Sequence, residues 1–246
     1  MKYDFTQARK CIETLDKRRF DRALLGSGDA FRHIVSLVPL LLHLNHPALP
    51  GYVEDAQAGI ADFTLSNYQQ NFLSKEHPEL VEDVQSAVNS DAVFAPIFGI
   101  YVMGSFGSIS QTSASDLDIW ICHQDDLSEQ EQQRLAEKTK KISQWASTYH
   151  VEMHFYLMTQ QRFRNERYSD PLTKENSGSA QYMLLLEEFY RSAVRLAGKP
   201  LLWPHLWVED EKQYEAEVAR LVAAGELNPN DWVDFGGLGQ FSASEY

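Results

Sequence analysis

Residues 101–123 read YVMGSFGSISQTSASDLDIWICH, and two apolar runs frame the polar middle of that stretch. The first run, 97–103, stops at Gly104-Ser105; the second, Ile119-Trp120-Ile121-Cys122, opens on Asp116-Leu117-Asp118. Strand, glycine turn, strand is the reading that fits. Side chains two apart on a strand share a face, so Asp116 and Asp118 point the same way with roughly 7 Å between their backbones. Two carboxylates held that close repel each other, and a cation between them is the remedy.

Working outward toward the C-terminus, Ser128 with Glu131 three residues later predicts a capping box and a long polar helix to about residue 149, with Leu135, Ile142, Trp145 and Ala146 as its buried stripe. Residues 151–157, VEMHFYL, predict a third strand. Strand, turn, strand, long helix, strand is the order of an α+β sheet with helices packed on it. Residues 160–177 read as a polar, irregular loop near a site. A helix is predicted over 180–197, ended by Gly198 and Pro200, with Arg191, Arg195 and Lys199 four apart along one side. An acidic helix follows over 209–224, and the Ser-x-x-Glu form of 242–245 reads as a helix start in a fragment of a longer protein.

On the N-terminal side, 6–25 has a helical apolar spacing that Gly26-Ser27-Gly28 ends. Asp29 is expected to cap a second helix through Phe31, Ile34, Val35, Leu37 and Leu41, bent or restarted at Pro39. Residues 52–65 read as loop with a short strand, 66–75 as a helix and 78–88 as a short helical pattern. Three parts follow: a helical region, 1–95, packed on a catalytic core, 96–205, and a C-terminal helical segment, 206–246, cut before a further region.

Composition limits the partners. With 246 residues, 43% of them hydrophobic, the chain can bury a full core. The formal charge of −13 argues against a nucleic-acid-binding surface. A small anionic substrate is compatible if cations or local basic groups receive it. Cys11 and Cys122 have neither a disulfide framework nor metal-type spacing, which predicts a reduced, cytoplasmic setting. The first residues lack the apolar core of a signal peptide, and the greasiest stretch, 34–44, is too short to span a bilayer, so no membrane span is expected.

The Asp pair, the Gly-Ser turn before it and a further carboxylate on a neighbouring strand are the equipment of two-metal nucleotidyl transfer. Glu152 is the best third carboxylate, because the long helix returns its strand beside the second. Two ions about 3.5 to 4 Å apart would divide the work, one activating a hydroxyl and the other holding the triphosphate. Oxygen ligands suit Mg²⁺, with Mn²⁺ as the alternative ion. Backbone N–H groups after Gly104, and the Ser105 hydroxyl, are placed to receive phosphate oxygens.

The stretch GSFGSISQTSASDLDIWICHQ resembles the catalytic signature of the class I, enterobacterial-type adenylate cyclases, whose catalytic domain belongs to the DNA polymerase β-like nucleotidyltransferase superfamily. HLNHPALPGY, LLLEEFYRSAVRLAGKPLLW and LNPNDWVDFGGLGQFSASEY resemble the same family, so the likeness covers most of the chain, with 52–95 least recognisable. The resemblance implies a nucleotidyltransferase-like mixed sheet and cyclisation of ATP to 3′,5′-cyclic AMP and pyrophosphate. Gly104 and Ser105 would handle phosphate, and Asp116 and Asp118 would bind the metals. It also implies a longer protein whose C-terminal region responds to the sugar phosphotransferase system. Transfer of AMP to a separate acceptor, and a nucleotide-binding module without catalysis, are the alternative functions.

Each assignment has a plainer counterpart. An Asp-x-Asp at a strand start is often a solvated turn, and Glu152 can be a solvent-facing residue with His154 as its neighbour. Arg191, Arg195 and Lys199 form either a rail for the triphosphate or ordinary ion pairs with Glu187 and Glu188. Ser113 and Ser115 either touch phosphate or cap the turn. His43 and His46 read as structural, and Cys122 as a buried strand residue.

Overall fold

The computed structural model describes residues 3–82, 84, 95–112, 115–165, 179–206, 208, 209 and 211–237. At its centre is a four-stranded sheet in the order β3-β2-β1-β4, built from β1 (Ile97–Met103), β2 (Leu117–His123), β3 (Met153–Met158) and β4 (Val194–Gly198). β1 runs antiparallel to both β2 and β4, and β2 runs parallel to β3, so the sheet is mixed as expected.

The helices are α1 (Phe5–Leu25), α2 (Asp29–His43), α3 (Asn67–Glu76), α4 (Glu129–Ser147), α5 (Gln160–Asn165), α6 (Ser179–Ser192) and α7 (Tyr214–Ala223). Local chemistry explains several boundaries. Ser128 accepts the N–H of Glu131 while the Glu131 carboxylate takes the Ser128 N–H, the reciprocal box that starts α4. Ser66 and Gln69 do the same for α3. Asp29 is not the cap of α2: Gly28 occupies that position and Asp29 sits in the first turn, where its charge suits the helix dipole. Nor does α2 restart at Pro39; one helix continues to His43, its residues 37–43 all buried. Burying each such Leu contributes about 2 kcal/mol, which offsets the hydrogen bond that proline removes.

Alternation along the strands divides the core in two. Ile100, Val102, Ile119 and Ile121 face α2 and α4, joining Leu37, Leu41, Leu135 and Ile142 in one cluster. Tyr101, Met103, Trp120 and Cys122 face the other way, against Phe189 of α6 and Phe235. Trp120 stacks on Phe189 with centroids 4.1 Å apart. A third cluster, with Tyr214, Leu221 and Trp232, packs the C-terminal segment against Phe5. The predicted acidic helix over 209–224 is shorter than expected, a 3₁₀ turn Glu211–Gln213 preceding α7. The expected short strand in 52–65 is a single bridge, Ile60 to Ile97. Residues 85–88 of the helical pattern, 166–177 of the predicted loop, Ser113 and the helix start at 242–245 lie outside the described residues.

His43 and His46 have structural roles. The N–H of Ile60 donates to His43 Nδ1 at 3.1 Å, and the ring stacks on Phe63 at 4.0 Å. Burial pushes its pKa down to about 4. His46 accepts the N–H of Ala48 at 3.2 Å.

Candidate active site

β1 ends with Met103 paired to Asp118 on β2, and the chain turns at Gly104 with φ 80°. A side chain there would meet open space, so the left-handed backbone is what selects glycine. The loop that follows is moored to the N-terminal helices. The Arg19 guanidinium donates to the Phe106 carbonyl at 2.7 Å, and Phe106 packs against Phe20 and Phe31 at 5.9 and 6.4 Å. Gln111 donates to Ser27 Oγ at 3.1 Å. Gly107, φ 65°, lies so close to the Arg19 backbone that a Cβ would overlap it. Ser115 Oγ accepts the Thr112 N–H at 2.9 Å, which gives it the turn-tying role.

β2 alternation sets Asp118 on the face of Trp120 and Cys122, toward α6. Asp118 is half-buried and Asp116 exposed. Burial, the Asp116 charge and Glu188 raise the pKa of Asp118, while the Tyr156 hydrogen bond and His154 oppose them. The Tyr156 hydroxyl donates to Asp118 Oδ1 at 3.3 Å, and burial and Asp118 push its own pKa up.

The third strand begins at Met153, not at 151, so Glu152 precedes it. Its carbonyl accepts the Leu117 N–H at 3.0 Å, which fixes it beside the head of β2. Its side chain is 73% exposed, with Oε1 3.1 Å from His154 Nε2. His154 is the register partner of Asp118.

The expected cationic rail is not formed. α6 stops at Ser192 and the chain extends as β4, because Val194 and Arg195 pair with Val102 and Tyr101 of β1. Arg191, exposed at the end of α6, pairs with Glu187. The Arg195 guanidinium reaches Glu13 at 2.9 Å and the Gly198 carbonyl at 3.1 Å. The Arg195 backbone N–H donates to Asp16 at 3.2 Å, a carboxyl that burial pushes up to about 6. Lys199 lies beside Phe98, Nζ 4.4 Å from the ring centroid and N–H donating to the Phe98 carbonyl at 2.8 Å. Phe98 and Met103 are five residues apart on β1, roughly 16 Å along the strand. Lys199 is therefore at the opposite end of the sheet from Asp118.

Three residues at the site escaped the sequence reading. Tyr156 follows Glu152 and His154 at spacings of two, so strand alternation would have found it. Ser192 accepts the Gly104 N–H at 2.9 Å and donates its own hydroxyl to the Glu188 carbonyl at 2.6 Å; no spacing signals that contact. Glu188 acts on Asp118 across a gap in sequence that no local pattern bridges.

Asp116 and Asp118 fit a hard divalent cation in donor type, and the Asp116 charge adds to burial, the larger cause, in raising the pKa of Asp118. A complete ligand set is not gathered: among the described residues no three His, Cys, Asp or Glu side chains stand close enough together to hold an ion. Glu152 would have to turn from His154 to join the pair.

A mixed sheet with a Gly-Ser turn closing one strand and an Asp-x-Asp pair heading the next defines a nucleotidyltransferase-like α+β protein. The pattern of the adenylate cyclase NT domain family matches residues 4–204, and the chain belongs to that family. It is similar to the adenylate cyclase of Haemophilus influenzae, 65% identical over 251 residues, covering 100% of this chain and 30% of the relative. The adenylate cyclase of Pasteurella multocida is 57% identical over 248 residues, again 100% and 30%. That of Escherichia coli K12 is 42% identical over 236 residues, covering 96% of this chain and 27% of the relative. The chain thus spans about 30% of the length of the first two of these curated relatives. No solved structure matches it. No helix among the described residues is long and apolar enough to cross a membrane.

Proposed function

We propose that this chain is the catalytic part of a cytoplasmic adenylate cyclase that converts ATP to 3′,5′-cyclic AMP and pyrophosphate. The observation that carries the reading is the Asp116–Asp118 pair at the head of β2, set beside the Gly104 turn in a chain of the adenylate cyclase NT domain family. In the reaction the ribose 3′-oxygen bonds to the α-phosphorus, the bond to the bridging oxygen breaks, pyrophosphate leaves and the hydroxyl proton is released. Both reactants belong to one nucleotide, so orientation supplies much of the rate.

Asp116 and Asp118 would hold the metal ions, with Glu152 completing the set if it turned from His154. Mg²⁺, when bound there, neutralises phosphate charge and makes the hydroxyl more acidic. The Tyr156 hydroxyl, donating to Asp118 Oδ1, favours the ionised carboxylate against the burial that raises its pKa. The Gly104 N–H and the Ser105 hydroxyl receive phosphate oxygens, the former by exchanging its bond to Ser192. Arg191, one residue before Ser192, is the cation nearest in sequence to that contact; Ser115 supports the loop, and Lys199 has no part in the triphosphate site. Regulation by the sugar phosphotransferase system would act through length beyond this chain.

Incubating the chain with ATP and Mg²⁺ and separating the products tests the reading. Cyclic AMP and pyrophosphate in equal amounts, abolished by chelation, are expected. AMP attached to a separate acceptor with no cyclic AMP would overturn it.

A further inference from the structure

On the sheet face away from the aspartates, α2, α3 and α4 and the segments beside them frame an open cavity of ≈ 670 Å³. That lies within the roughly 300–1,000 Å³ typical of small-molecule sites. The two places are separate: Trp145 and Phe72 flank the core that contains Ile119 and Ile121, whereas Asp118 shares the face of Trp120.

The lining is unusually aromatic. Around His33 stand Phe72, Trp145 and Tyr149, each with its centroid 5.8 Å from the imidazole, and Tyr68 at 6.2 Å. Packing on the core accounts for Phe72 and Trp145, but not for Tyr68 and Tyr149. The buried apolar stripe of α4 is Leu135, Ile142 and Ala146, while Tyr149 stays 41% exposed and Tyr68 43%. Four rings can cage an organic cation. Here the place among them is held by His33, whose Nδ1 is 2.9 Å from the Tyr68 hydroxyl and whose basicity burial lowers, and the Lys75 ammonium lines the same cavity. A neutral imidazole among aromatic faces favours a flat heteroaromatic ring instead. The remaining lining groups suit the rest of such a ligand. Asn71 offers a donor and an acceptor to a base edge, and Glu76 can accept from an exocyclic amino group. Lys75, exposed and without an ion pair among the described residues, is placed for an anion.

We propose that this cavity is a second, non-catalytic site for a nucleobase-bearing small molecule, its ring packed against the cavity-lining sides of Trp145, Tyr149 and Phe72, beside His33 rather than in its place, and its phosphate on Lys75. The inference does not depend on the cyclase reading, because none of these residues belongs to the aspartate site.

Isothermal titration of the chain with AMP, adenosine and choline, in the presence of chelator, tests it. Saturable 1:1 binding of AMP is expected, several-fold tighter than adenosine, and retained in the Asp116→Asn/Asp118→Asn double variant. Trp145→Ala should weaken AMP at least tenfold. Lys75→Gln, at an exposed position that leaves folding untouched, should erase the preference of AMP over adenosine. The proposal is overturned by absence of saturable AMP and adenosine binding at millimolar concentration, by loss of AMP binding in the double aspartate variant, by AMP binding that Lys75→Gln and Trp145→Ala leave unchanged, or by choline binding where nucleotides do not.

Discussion

The two ends of β2 carry side chains on the same face and have opposite characters. At its head Asp116 is exposed and Asp118 half-buried, with a hydrogen bond to Tyr156 and an open glycine turn alongside. At its tail Cys122 is fully buried, and burial raises its thiol pKa. The tail is closed by backbone. The Tyr101 hydroxyl donates to the Lys199 carbonyl at 2.6 Å, and Gly99 and Gly198 pair so tightly that a Cβ on Gly198 would overlap the Phe98 carbonyl. One strand thus joins an open, charged edge to a sealed, apolar one.

Substitutions at the two ends should separate chemistry from stability. The largest effect belongs to the head: Asp116→Asn and Asp118→Asn should each lower cyclase turnover by roughly three orders of magnitude or more, with circular dichroism and melting temperature unchanged. If both retained activity, the metal assignment would fail. At the tail Gly198→Ala should do the reverse. Its φ of 85° and the overlap with Phe98 make it destabilising by about 3 kcal/mol, a fall in melting temperature of roughly 6 to 12 °C, with turnover of the remaining folded protein preserved.

Tyr156→Phe is a finer probe of the head. The lost hydrogen bond is one that lowers the Asp118 pKa, so its removal raises that pKa and shrinks the ionised fraction at low pH. The acid limb of the rate profile should move to higher pH, so the loss of rate is larger at low pH than at pH 8. An unshifted limb would separate Tyr156 from the titration of Asp118. The smallest effect is expected from Lys199→Gln. Loss of its contact with Phe98 costs about 0.5 to 1 kcal/mol of stability, while the KM for ATP stays within about twofold. A tenfold rise in KM would return Lys199 to the triphosphate site.

Much of this was legible in the sequence where the signal is short-range. The two central strands, the capping box of α4 and the same-face aspartates follow from alternation and from contacts three residues apart. The 180–197 helix shows where such reasoning stops. Ala193, Arg195, Leu196 and Ala197 are good helix formers, and Gly198 reads as a helix stop. Pairing of Val194 with Val102 across the sheet overrides that propensity, and once the helix ends at Ser192 the four-residue spacing of the cations loses its meaning. Ser192 and Glu188 were invisible for the same reason: their roles depend on where α6 is set against β1, a long-range fact.

The mooring of the loop between β1 and β2 has a consequence for any attempt to trim the protein. A chain begun at residue 96 would keep Asp116, Asp118, Glu152 and the Gly-Ser turn. It would lose the Arg19 clasp on Phe106, the ring contacts of Phe20 and Phe31, and the surface against which Gly107 is fitted. The N-terminal helices, none of whose side chains is assigned to the reaction, are in this sense the jig that holds the loop beside the aspartates in place.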